Sequence, residues 1–312
     1  MISIYKSDEV SSTLQRLENI EPGSWIHLVA PSEQELLLIS KKTGVPMEFL
    51  KAPLDEEETS RIDTEGNNTL FVFDIPFSEM EDNSLTYDTY PLAIIHTEKE
   101  LITVCLKNSK IFLDFVEGKV RSFYTFKRSR FILQILYRIA TYYLIYLRQI
   151  DKKSLMIEKK LHKSMKNKEL IQLLSLEKSL VYFSTSLTSN EITLEKMLKM
   201  EMMQKYEEDK DVLEDVIIEN KQAIEMANIY SNILSGTMDA FASVISNNLN
   251  IVMKLMAGVT IIMSIPNIIF SAFGMNVNVP LEQKNHGFYL ILGVSIICCI
   301  VAGIILRKKD LL

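Results

Sequence analysis

The sequence predicts an α+β chain with long helices: an N-terminal α/β cytoplasmic domain, a helical stalk and two C-terminal transmembrane helices. Three observations carry that prediction. Six of the eight prolines precede Leu92, and neither proline nor glycine occurs between Gly118 and Gly236. The chain therefore changes near residue 120 from short, punctuated elements to long helices. Two uncharged apolar stretches, Leu255 to Phe273 and about Phe288 to Leu306, each approach the ~20 residues that cross a bilayer. Most of the charge precedes Lys254, which leaves about 250 residues for packed cores outside the membrane. The expected division is 1–120 for the α/β domain and 121–254 for the helical domain and stalk. The first span is 255–275, an external loop 276–286, the second span 287–306, and a basic tail 307–312.

Within the first part, the apolar runs Trp25 to Ala30, Leu70 to Ile75, Leu92 to Thr97 and Leu101 to Leu106 predict strands. Glu33 to Thr43 and Lys110 to Val116 predict helices. Beyond them the chain is mostly Leu, Met, Ile, Glu and Lys, with one expected break in the Ser/Thr-rich stretch Ser184 to Thr193. Phe131 to Leu147 has the apolarity of a third span, but Gln134 and Arg138 interrupt it on one face at a four-residue spacing, so a buried amphipathic helix is expected. From about Glu208 a helix can run through Asn248 into the first span, on the order of 95 Å at ~1.5 Å per residue. Its apolar positions Val212, Val216, Ala223, Ala227, Ile233, Ala240 and Val244 are mostly small or β-branched, which suits close packing around an axis and predicts an oligomeric stalk.

Composition excludes several functions. Net charge is −6, with 40 acidic against 34 basic residues, which disfavours a nucleic-acid partner and is compatible with cations. Asp8, Glu9, Arg16, Glu18 and Glu21 fall in the first thirty residues, so no signal or transit segment is expected there. Cys298 and Cys299 lie in the second span and Cys105 in a strand-like run; all three are expected to be packing residues without disulfides. No nucleophile with a paired base, phosphate loop or His/Cys metal cluster is visible, so an enzyme is not expected.

Lys254 precedes the first span, and Arg307, Lys308 and Lys309 follow the second. The positive-inside rule then puts both termini in the cytoplasm and the loop between the spans outside. Met253, Met256, Thr260, Ser264, Asn267 and Ser271 recur every three or four residues on one face of the first span. Polar atoms facing lipid would lack partners, so this stripe serves either helix-to-helix hydrogen bonding or a wet pore. Pro266 predicts a kink or a freed carbonyl. Gly274-Met275-Asn276 ends the span as a polar turn.

The run NNLNIVMK, the proline near mid-span, the FGMN that ends the span and the closing RKKDLL resemble the CorA family of magnesium channels. The stretch LDEEETSRID, from Leu54 to Asp63, is similar to that family's D-x-x-E-x-x-R-I pattern before a strand. The likeness covers the organisation of the whole chain. Phe273 stands where the family more often has tyrosine, and Met256-Ala257 where Leu-Thr is common. The resemblance implies a homopentameric funnel, with the first span of each subunit lining a central pore and the second outside it. It also implies an ion filter at Gly274, Met275 and Asn276, Mg²⁺ as both the transported and a regulatory ion, and an acidic regulatory ligand at Asp215 on the stalk. At the position of its partner acid stands Lys51, with Asp55, Glu56, Glu57 and Glu58 nearby.

Chemistry fits that implication. Mg²⁺ holds its waters tightly and prefers oxygen ligands, so a ring of neutral Asn276 carbonyls can recognise the hydrated ion and still release it. Glu282, with Asn278 nearby in the outer loop, is expected to attract cations. Leu249, Met253 and Met256 are expected to form a hydrophobic gate. A relative moving Zn²⁺, Co²⁺ or Ni²⁺ is the nearest alternative, but His27, His96, His162 and His286 are scattered and form no soft-ligand relay. A membrane-anchored coiled-coil scaffold is the alternative from another class, and the polar stripe argues against it.

Overall fold

The computed structural model describes residues 1–8, 13–81, 84–164, 167–275 and 286–309. They form two compact units, Met1–Gly236 and Thr237–Leu312.

The first unit is built on a seven-stranded sheet of β1 (Ile2–Ser7), β2 (Leu14–Leu17), β3 (Trp25–Val29), β4 (Arg61–Glu65), β5 (Asn68–Glu81), β6 (Ser84–His96) and β7 (Leu101–Cys105), in the order β2-β1-β3-β7-β6-β5-β4. Only the β3–β7 pairing is parallel among these, with Trp25 opposite Leu101 and Val29 opposite Cys105. Every residue of β7 is buried, as expected of a strand covered on both faces.

Alternation along the strands separates two cores. Ile26, Leu28, Leu70, Val72, Ala93, Ile95, Ile102 and Val104 pack with Leu36 and Ile39 of α1 (Glu33–Thr43) and with Phe49 and Leu50 of α2 (Met47–Lys51). Ser32 and Glu35 form a capping box at the start of α1, and Gly44 closes it at φ 71°, a left-handed cap that glycine adopts without strain. On the opposite face Trp25 lies among Phe112, Phe115, Phe123 and Phe131, with ring centroids 5.2–6.4 Å away. Phe112 and Phe115 come from α3 (Lys110–Val116) and Phe131 from α4 (Arg128–Ser164).

The predicted helices Glu33 to Thr43 and Lys110 to Val116 are present at those bounds; of the four predicted strands, Leu70 to Ile75 lies within β5, and the other three match β3, β6 and β7 but run one residue past their ends. Phe131 to Leu147 forms part of α4 and packs inside the first unit. Phe131, Ile132, Leu133, Ile135, Leu136, Tyr143 and Leu147 are buried. Its polar interruptions are partly satisfied: Gln134 Nε2 donates to the Arg121 and Ser122 carbonyls at 3.5 and 3.4 Å, and Arg138 pairs with the buried Asp114, while Gln134 Oε1 and Arg138 Nε are buried without a partner among the described residues.

One expectation is overturned. The Ser/Thr-rich stretch Ser184 to Thr193 does not break the chain, because α5 runs unbroken over Asn167–Met197. Thr185 and Thr188 donate to carbonyls four residues earlier at 2.9 and 2.7 Å, Ser186 bonds Thr89 at 2.9 Å, and Asn190 grips the β5 backbone. The hydroxyls are thus occupied within the helix or against the sheet, and do not compete with the helix for its backbone. The break falls later, around the short α6 (Glu201–Gln204).

The next helix, α7, spans Glu207–Phe273 without interruption, and α8 spans Gly287–Lys308. In the first unit α7 runs antiparallel to α5. Asn220 Nδ2 donates to the Leu187 carbonyl at 3.0 Å, Ser184 and Asn228 lie 2.8 Å apart, and Lys221 sits 3.5 and 3.6 Å from Glu191 and Glu195. Leu213, Val216, Ala223 and Ala227 are the buried side of this contact.

Candidate functional site

Among the described residues, α7 and α8 are the two helices long and apolar enough to cross a membrane. Their apolar side chains are exposed: Met263 by 71%, Ile268 by 68% and Ile297 by 62%. A water-soluble chain rarely leaves so much contiguous apolar surface uncovered, whereas lipid would cover it.

The two spans meet along one narrow face. On α7, Gly258 is buried, and Ile262, Ile265 and Ile269 are half-buried, a spacing of four, three and four. On α8 Ser295 and Leu306 are buried and Cys299 and Ala302 half-buried, again at four, three and four, with Ile291, Leu292, Gly293 and Gly303 also half-buried. Cys299 Sγ lies 3.7 Å from the Ile262 carbonyl. At about 100° per residue, the stripe Met253, Met256, Thr260, Asn267 and Ser271 is centred on the opposite side of α7 from this contact. Those five residues are exposed, and Ser264 is half-buried at the stripe's edge. Met253 and Met256 are 60% and 66% exposed.

The polar members of the stripe divide by chemistry. Thr260 Oγ1 donates to the Met256 carbonyl and Ser264 Oγ to the Thr260 carbonyl, both at 2.8 Å. Their protons are therefore used within the helix, and their oxygen lone pairs remain outward. Among the described residues no such bond ties down the Asn267 amide, which is exposed.

At the end of α7 the Gly274 N–H donates to the Phe270 carbonyl at 2.9 Å. A Cβ at Gly274 would stand 3.1 Å from that same oxygen, so the close approach itself favours glycine there. Met275 is 59% exposed. Asn276, Asn278 and Glu282 lie outside the described residues.

The expected regulatory acids are in the first unit. Asp215 is exposed on α7. Of its neighbours, Asp209 is held by Arg130 at 2.9 Å and Glu214 lies 3.6 Å from Lys210. Lys51 pairs with Glu33 at 3.2 Å, Asp55 accepts from the Glu57 N–H at 3.0 Å, and Glu58 pairs with Arg61. Within a single chain, no group of three or more His, Cys, Asp or Glu converges for a metal among the described residues.

Two histidines of the sheet are structural. His27 Nδ1 lies 2.8 Å from the Thr103 hydroxyl, and burial pushes its pKa down to about 3. Burial, aided by Arg128, pushes His96 down to about 4. Both are neutral at cellular pH. The carboxyl of Asp74 moves the other way, raised to about 6 by burial and by Glu58 nearby, against a hydrogen bond from Ser186 that lowers it.

Sequence reasoning found the stripe by its spacing but did not find which face α8 covers. The small residues Gly258, Ser295 and Ala302 were the available signal, because close helix contacts in membranes favour small side chains.

Comparison with known proteins identifies the family and the fold. A family model described as CorA-like Mg²⁺ transporter protein matches residues 22–308. The cobalt/magnesium transport protein CorA of Methanocaldococcus jannaschii is 27% identical, over 97% of this chain and 94% of its own. The complete structure of the CorA magnesium transporter from that organism shares the fold, with a TM-score of 0.82 at 24% identity, over 99% of this chain and 98% of that one. The full-length CmaX protein also shares it, with a TM-score of 0.69 at 14% identity, over 98% and 97% of the two chains. The chain belongs to the family of CorA-like Mg²⁺ transporter proteins.

Proposed function

We propose that this protein is a homopentameric channel in the cell membrane through which Mg²⁺ enters passively along a pore lined by the last part of α7. The observation that carries this reading is the opposition of the two faces of that span. One face, at Gly258, Ile262, Ile265 and Ile269, is buried or half-buried, and Cys299 of α8 lies against it at Ile262. The other carries Thr260, Asn267 and Ser271, which are poor lipid neighbours and good partners for ordered water. Copies of the chain arranged with α8 outward would turn these groups onto a common axis.

In this reading both termini are cytoplasmic. Gly274, Met275 and Asn276 form the filter, and Asn276 side chains present a ring of neutral oxygens to the waters of a hydrated ion. Glu282 draws cations toward the mouth, and Leu249, Met253 and Met256 form a hydrophobic constriction. A divalent ion gains about 4.6 kcal/mol per 100 mV of potential, from ~2.3 kcal/mol per charge, so uptake needs no other fuel. Co²⁺, named with magnesium for the relative above, is expected to share the path. Cytoplasmic Mg²⁺ bound at Asp215 of each subunit closes the channel by stabilising the closed arrangement.

The test is dye-reported Mg²⁺ uptake into proteoliposomes at a set potential, with Zn²⁺, Co²⁺ and Ni²⁺ as competitors. Uptake that follows the potential, and is lost in Asn276→Ala at unchanged oligomer size, supports the reading. Potential-independent uptake, or full uptake by the variant, contradicts it.

A further inference from the structure

Pro266 lies inside α7. Having no N–H, it cannot donate to the Ile262 carbonyl four residues earlier, and its ring crowds that oxygen. A backbone carbonyl without a partner is costly in a membrane interior. At this carbonyl stands Cys299 of α8, with Sγ 3.7 Å from the oxygen and the thiol as the donor. Both residues belong to the same compact unit and both are half-buried, whereas the adjacent Cys298 is exposed.

The placement of the proline is specific. The carbonyl it frees belongs to Ile262, one of the positions covered by α8. A proline one residue earlier or later would free a carbonyl turned about 100° around the helix, away from α8. A proline-freed carbonyl and a donor on the facing helix therefore coincide at one level of the hairpin.

We propose that Cys299 is a positioning residue of the ion pathway: its thiol takes over the hydrogen bond that Pro266 removes, and so fixes the rotation of the pore-lining span against α8. This rests on the reading that the α7 span lines the pore. The bond lies on the side opposite the polar stripe, so holding it holds Thr260, Asn267 and Ser271 away from α8. A thiol is a weak donor. It ties the helices without making the contact rigid, as suits a span that moves in gating.

A double-mutant cycle on the full-length protein tests this, read both as the thermal midpoint in detergent and as Mg²⁺ uptake in proteoliposomes. Cys299→Ala should lower the midpoint and change uptake on the order of threefold, the worth of an average hydrogen bond between membrane helices. Cys299→Ser, which keeps a donor, should retain both. Pro266→Ala restores the N–H, so Cys299→Ala made in that background should have no further effect. An equal cost of Cys299→Ala in both backgrounds overturns the proposal. So do equal losses from Cys299→Ser and Cys299→Ala, a comparison that decides the matter even where Pro266→Ala fails to assemble. Coupling in the midpoint with unchanged uptake in every variant overturns the positioning role. Thiol labelling along the stripe tests the pore reading separately, since it depends on which face meets water and not on this bond.

Discussion

At the level of single residues, the pore reading depends on chemistry that an apolar substitute cannot supply. Asn267→Leu removes the polar group least tied to its own helix and should reduce Mg²⁺ conductance several-fold, read by uptake into proteoliposomes. Altered assembly with normal conductance per channel would place Asn267 in a structural contact instead. Asp74 makes an independent prediction. Its pKa is about 6 in the folded chain, raised mainly by burial. The folded state therefore binds a proton more tightly than the unfolded one. This carboxyl is least costly below about pH 4, and it destabilises the fold progressively as the pH rises through about 4 to 6. Asp74→Asn should raise the thermal midpoint at pH 7.5 and leave it nearly unchanged at pH 4, and an equal shift at both pH values would contradict the assignment. Sequence alone marked Gly274, Asn267 and the stripe, because spacing on a helix is visible in one dimension. It did not mark Asp74 or Cys299, whose roles come from neighbours brought together by folding.

At the level of elements, one side chain of α5 makes three hydrogen bonds at the edge of the sheet. Asn190 Oδ1 accepts from the Asp74 N–H at 2.9 Å and from the Ser60 hydroxyl at 2.7 Å, and its Nδ2 donates to the Asp74 carbonyl at 2.8 Å. Asn190→Ala leaves the Asp74 N–H of β5 without its partner, while the Asp74 carbonyl keeps the Tyr143 hydroxyl at 3.1 Å, and should cost about 1–3 kcal/mol, the worth of one unsatisfied group. Denaturant unfolding measures this, and a loss below about 0.5 kcal/mol would be within the range of ordinary surface substitutions and count against the clamp. The same contact explains why a Ser/Thr-rich stretch that locally suggests a break stays helical. Apolar runs and helix caps made β3, β7, α1 and α3 legible. β1, β2 and β4 were missed, since Leu14–Leu17 and Arg61–Glu65 carry polar, partly exposed residues. Their strand state comes from pairing with neighbours such as Ile4 opposite Leu17 and Ile62 opposite Phe71.

For the whole molecule, the order of parts was legible from punctuation and apolarity: a sheet domain, long helices and a terminal hairpin. What was not legible is the side on which α8 lies, because isoleucine side chains suit lipid and a helix neighbour equally well. The gating proposal belongs to this scale. Like charges gathered around one axis repel, and a divalent cation between subunits offsets that repulsion. Asp215→Ala should shift the cytoplasmic Mg²⁺ dependence of current without changing which ion permeates, measured in patches with internal Mg²⁺ varied. An unmoved dependence, also after joint neutralisation of Asp55 to Glu58, would remove these carboxylates from gating. The arrangement of the spans is open to a still more direct examination. In a chain carrying Cys105→Ala, Cys298→Ala and Cys299→Ser, single cysteines are introduced along α7 and exposed to a membrane-impermeant thiol reagent during uptake. Cysteines replacing Thr260, Ser264, Asn267 and Ser271 should be labelled and uptake blocked, while those replacing Ile261, Ile265 and Ile268 should stay unlabelled. Labelling of the isoleucine positions, with the stripe unreactive, would mean that the pore lies on another face and that the proposed pathway is wrong.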